Sequence, residues 1–153
     1  MRRLFFGVIV LALFLSSALT VLAQENIMPK QSEEMAKIVL DIDGNYLSAI
    51  LYDNVAANDL LARLPLTLRL NRGGRDYCGD VNALKYEESQ VQKGYRNGEL
   101  AYWIPGQDFV IFMEKEETGA SVDGVVVLGR MTSDFSSLLS LDRSIQVKIS
   151  LAE

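Results

Sequence analysis

The chain has 153 residues, 49% of them apolar, with one cysteine, no histidine, and 15 basic against 20 acidic side chains for a net charge of −5. That length and apolar fraction suffice for a single hydrophobic core. The missing histidine excludes Ser-His-Asp and Cys-His catalytic groups and the usual histidine-containing zinc sites. One cysteine cannot close a disulfide within the chain.

The chain opens on Arg2-Arg3, an apolar run from Leu4 to Leu15, and a softer stretch ending in Val21-Leu22-Ala23. A basic start, an apolar core of signal-peptide length and short side chains at the end are the marks of an export signal over residues 1–23. The competing reading is an uncleaved anchor, because residues 4–23 are long enough to span a bilayer. Ser16, Ser17 and Thr20 interrupt the stretch and no basic stop-transfer cluster follows, which favours cleavage after Ala23 and no stable membrane insertion afterwards. The expected location is periplasmic or secreted. Loss of Arg2 and Arg3 leaves 13 basic against 20 acidic side chains, so nucleic acid and anionic membrane are poor partners.

Residues 24–36 are polar, contain Pro29 and show no period, which reads as a flexible linker before a domain over residues 37–153. Ile38, Leu40 and Ile42 point one way along a strand, and Asp43-Gly44 turns it into a second strand over residues 45–52. Asp53 and Asn54 can cap a helix in which Ala57, Leu60, Leu61 and Leu64 share a face until Pro65 ends it. The period then becomes two, with Leu66, Leu68 and Leu70 on one side.

From residue 71 to 98 glycines and polar residues loosen the pattern, and any strands there are short or bulged. Residues 100–104 form a strand, and Pro105-Gly106 suits a type II turn with positive φ on the glycine. Phe109 to Met113 is apolar without alternation, as in a strand buried on both faces of a closed barrel beneath a covering helix. A charged loop over residues 114–123 precedes a buried strand at 125–128. Ser133 and Asp134 then cap a second short helix presenting Phe135, Leu138 and Leu139. The last strand alternates without exception through Ile145, Val147, Ile149 and Leu151. The fold class is therefore mainly β, a small closed barrel with two short helices.

Little in the chain names a reaction. Asp41 to Asn45 resembles the start of a calcium loop, but Tyr46 and Tyr52 stand where that loop needs glycine and glutamate, so a turn is the better reading. Glu114, Glu116 and Glu117 read as a solvated acidic loop, and no metal or other cofactor is implied. Cys78 reads as a buried small apolar residue, with a reactive thiol as the alternative. One aromatic and basic set is a candidate ligand site: Trp103, Tyr102, Phe112 and Tyr77 with Arg69, Arg75 and Arg130, all on strands or turns that a barrel could bring together. The opposing reading makes the aromatics ordinary core and the arginines ordinary surface.

The segments Leu51-Tyr52-Asp53-Asn54, Leu64-Pro65-Leu66-Thr67-Leu68, Gly98 to Trp103, Pro105-Gly106, Phe109-Val110-Ile111-Phe112 and Leu128-Gly129-Arg130 follow one another in an order that resembles the bacterial cyclophilin-like domain family. The resemblance covers residues 37–130 and implies a cyclophilin-type barrel with short helices covering its ends. True cyclophilins are peptidyl-prolyl isomerases, distinguished by Phe-His-Arg and Gly-Ser-Gln-Phe-Phe motifs that this chain lacks. Three functions follow as expectations: an exported domain that binds a small molecule or peptide without covalent chemistry, a divergent prolyl isomerase, or an accessory scaffold.

Overall fold

The computed structural model describes residues 33–153. The expected signal over residues 1–23 and most of the 24–36 linker lie outside the described residues. The first strand begins at Glu34 rather than Lys37, so the end of the expected linker is already part of the domain.

Eight antiparallel strands close into a barrel in the order β1-β2-β7-β5-β6-β4-β3-β8. They are β1 (Glu34–Ile42), β2 (Asn45–Tyr52), β3 (Leu66–Arg72), β4 (Asp76–Asp80), β5 (Glu99–Trp103), β6 (Asp108–Phe112), β7 (Val125–Met131) and β8 (Ser144–Leu151). Closure pairs β1 with β8 and leaves no free sheet edge at that seam, which is the usual remedy for exposed strand edges. The β1–β2 hairpin turns at Asp43-Gly44, where both residues have positive φ and Ile42 faces Asn45, a geometry that matches the strands' right-handed twist.

Helix α1 (Val55–Ala62) starts where expected. Asn54 accepts the Ala57 amide at 2.8 Å and donates from its side-chain nitrogen to the Val127 carbonyl at 2.9 Å, tying the helix start to β7. Ala56, Ala57 and Leu60 are fully buried against the barrel core. At the other end Arg63 donates to the carbonyls of Val81 and Ala83 and pairs with Asp59 at 2.9 Å, fastening α1 to the segment after β4.

Two local expectations need correction. The 104–107 turn places its positive φ on Gln107 instead of Gly106, with the Gln107 amide donating to the Ile104 carbonyl at 3.2 Å. Gly106 is needed for a different reason: a Cβ there would stand 2.8 Å from the Trp103 ring and 2.6 Å from an Asp108 carboxylate oxygen. The expected second helix is present as a 3₁₀ helix, Ser136–Ser140, led by Phe135, but its expected face does not hold. Three residues per turn align Phe135 with Leu138, which is fully buried, and swing Leu139 outward to 41% exposure.

The interior is filled by alternate residues of all eight strands, including Leu40, Leu70, Tyr77, Tyr102, Phe109 and Leu128. A second, smaller apolar cluster lies on the outside of the barrel, where Ala101, Val110, Phe112 and Val125 pack with Tyr95. This explains why β6 is apolar from Phe109 onward: Phe109 and Ile111 point in, while Val110 and Phe112 point out. The outer cover is built from Tyr95 and the 114–124 segment, which includes the 3₁₀ turn Glu116–Ser121, in place of an α-helix.

Candidate functional site

Period-two geometry decides which side chains can meet. On β4, Asp76 and Cys78 point outward while Tyr77 points inward, and on β5 Trp103 points outward while Tyr102 points inward. The register sets Asp76 opposite Phe112, Cys78 opposite Val110, and Trp103 opposite Asp108. A pocket of about 200 Å³ opens on this outer face, lined by Arg75, Asp76, Cys78, Trp103, Val110, Phe112 and Val122.

Each wall is held by a named contact. The Trp103 indole N–H donates to the Asp123 carbonyl at 2.9 Å, fixing the ring beside Val122. Tyr95 stacks on Phe112 with ring centroids 3.8 Å apart and planes 6° from parallel. Its hydroxyl lies 2.8 Å from the Glu114 carbonyl and 3.0 Å from that of Lys115. The Arg75 backbone carbonyl accepts the amides of Met113 and Glu114, and its guanidinium carbon sits 6.0 Å from the centre of the Tyr95 ring.

The polar end of the pocket is less settled than the apolar end. Arg75 Nη1 is buried and, among the described residues, has no hydrogen-bond partner. Burial raises the Asp76 carboxyl above its ordinary range, with Asp108 adding to the rise and Arg75 and Cys78 opposing it. Burial also pushes the Cys78 thiol up to about 11, helped by the negative charges of Asp76 and Asp108. A thiol held there is protonated at neutral pH and is a poor nucleophile.

Of the seven residues expected at a site, Arg75, Trp103 and Phe112 converge here. Tyr77 lies inside the barrel and donates its hydroxyl to the Asp142 carbonyl at 2.6 Å. Tyr102 is also interior, with Tyr86 tilted 47° against it at 6.2 Å. Arg69 lines a separate polar groove with Asp43, Ser144, Ile145 and Gln146, and Arg130 is exposed on β7, facing Glu99 across the register. Adjacent residues of one strand cannot share a face, so Tyr102 and Tyr77 are excluded by their neighbours' presence in the pocket. Asp76, Cys78, Val110 and Val122 lie outside the expected set; the alternation of Asp76 and Cys78 around Tyr77 is the sequence signal for the first two.

Among the described residues, no group of three or more Cys, Asp or Glu side chains is placed to hold a metal ion. No described helix is long and apolar enough to cross a membrane.

The architecture is thus that of a closed eight-stranded antiparallel barrel carrying an apolar pocket with one cation on its outer surface. Residues 40–150 match the model of the cyclophilin-like family, and the chain belongs to that family. A similar fold is seen in the solution structure of a hypothetical protein, AF2241, from Archaeoglobus fulgidus, which is 21% identical over 82% of this chain and all of its own, with a TM-score of 0.65. No protein with a curated description matches.

Proposed function

We propose that this cyclophilin-like domain, exported by the signal expected over residues 1–23, binds a small molecule or peptide in the Trp103–Arg75 pocket and carries out no covalent chemistry on it. The observation that carries the reading is the placing of Arg75 on the wall of a pocket whose remaining surface is largely the apolar faces of Val110, Phe112, Val122 and Trp103. The protonated Cys78 thiol is the nearest nucleophile-type side chain, and its state argues for binding over catalysis.

Thermal shift tests the reading. A screen of peptides and metabolites is expected to contain compounds that raise the melting temperature, with the rise reduced in Trp103→Ala. No response across a broad screen would leave the accessory-scaffold reading in its place.

A divergent prolyl isomerase is the second reading, and one observation favours it: a cation beside an apolar cleft is what stabilisation of a twisted amide requires. Proline tetrapeptides separate the two. The protein is expected not to accelerate their cis to trans conversion, and an acceleration abolished by Arg75→Ala would establish the isomerase.

A further inference from the structure

Arg75 and Asp76 are neighbours in sequence that line the same pocket, yet among the described residues they form no ion pair with each other. The Arg75 side chain borders the pocket, and the Asp76 carboxylate lies on the outer face of β4 opposite Phe112. The pocket therefore offers a donor and an acceptor of opposite charge at the edge of an apolar cavity bounded by Trp103, Phe112, Val110 and Val122.

This arrangement discriminates between ligands by charge. A carboxylate would satisfy Arg75 but be set against Asp76, with Asp108 adding a second negative charge nearby. An ammonium or amidinium would satisfy Asp76 but meet the Arg75 guanidinium. A neutral amide satisfies both, because its carbonyl accepts and its N–H donates, and it sheds water at far smaller cost than an ion. The flat apolar walls suit a ring attached to that amide.

Building on the binding reading above, we infer that the pocket takes a planar apolar ring bearing a neutral carboxamide or lactam, its carbonyl on the Arg75 guanidinium and its N–H on the Asp76 carboxylate. The ligand is held by shape and by this paired hydrogen bond, and no bond is made or broken in it.

Benzamide, benzoate and benzamidine share one ring and differ in charge, so they test the inference directly by calorimetric titration of the purified protein at pH 7. Benzamide is expected to bind about tenfold tighter than either charged analogue. Arg75→Met should narrow the gap in favour of benzamidine, and Asp76→Asn should narrow it in favour of benzoate. Unchanged melting curves would show that both variants remain folded. If either charged analogue matches benzamide on the unsubstituted protein, or if Asp76→Asn leaves the preference intact, the amide assignment is overturned. Indole, which fits the apolar walls and carries no amide, separates this failure from the larger one. Binding of indole but none of the three analogues overturns the amide assignment alone, and binding of no probe overturns the pocket reading as well.

Discussion

Tyr95 lies flat against Phe112, 3.8 Å from centroid to centroid, and its hydroxyl meets the carbonyls of Glu114 and Lys115. The stack closes the outer face of β6 and joins the loop before β5 to the loop after β6. Substituting Tyr95→Phe keeps the ring and removes the hydroxyl, and it is expected to cost about 1 kcal/mol in urea unfolding. Tyr95→Ala uncovers Phe112 and should cost about 3 kcal/mol or more. Equal costs for the two would mean that the ring does not seal this face.

Trp103 is the one tryptophan in the chain and forms a wall of the pocket, so its emission reports directly on occupancy. Benzamide titrated by this signal should lose its effect in Arg75→Ala. Arg69 and Arg130 lie on other parts of the barrel surface, and Arg69→Ala and Arg130→Ala are expected to leave the titration unchanged within about twofold. Loss of the signal in either of these two would move the site away from β4, β5 and β6.

The barrel was legible because burial on one face enforces alternation: β3 alternates cleanly, β1 does so with Val39 as the exception, and β8 does so as far as Ile149, its expected last inward residue Leu151 being 57% exposed at the strand end. Strand β4 was harder to see. Its only large interior residue is Tyr77; Asp76, Cys78 and Asp80 face outward, and Gly79 lacks a side chain because a Cβ there would collide with the Arg69 carbonyl. The site was legible in part for the same reason. Aromatic and basic residue types point to a pocket, but which of them meet depends on strand parity and on which strands become neighbours. Adjacent pairs such as Tyr102 and Trp103 must face opposite ways, whereas the pairing of β4 with β6 is set by closure across a long separation in sequence.

Cys78 offers a chemical probe of the same surface. Its thiol is raised to about 11, so at pH 8 its thiolate fraction is about a hundredfold below that of an ordinary cysteine. Iodoacetamide should label the folded protein correspondingly slowly, with the rate climbing until the pH nears 11. Asp76→Asn removes a neighbouring negative charge and should speed labelling at pH 8. Labelling at the rate of free cysteine would show that the thiol is neither buried nor flanked by charge.

Asp80 and Asp108 stand directly opposite each other on β4 and β6, and like charges so placed oppose pairing. Burial first, and then Asp80, raises the Asp108 carboxyl above its ordinary value. The folded state thus binds this proton more tightly than the unfolded state. The resulting penalty is full above the folded pKa and vanishes below the unfolded value. Asp108→Asn is therefore expected to stabilise the protein by about 0.5 kcal/mol at pH 7 and to give no gain at pH 3. Asp59 has the opposite sign, because the Lys85 amide lowers its carboxyl. Asp59→Asn should destabilise at pH 7, by an amount that disappears as the pH falls through the lowered folded value. Urea unfolding of both variants at the two pH values checks the pair, and a stabilising effect of Asp108→Asn that persists at pH 3 would show that charge is not its source.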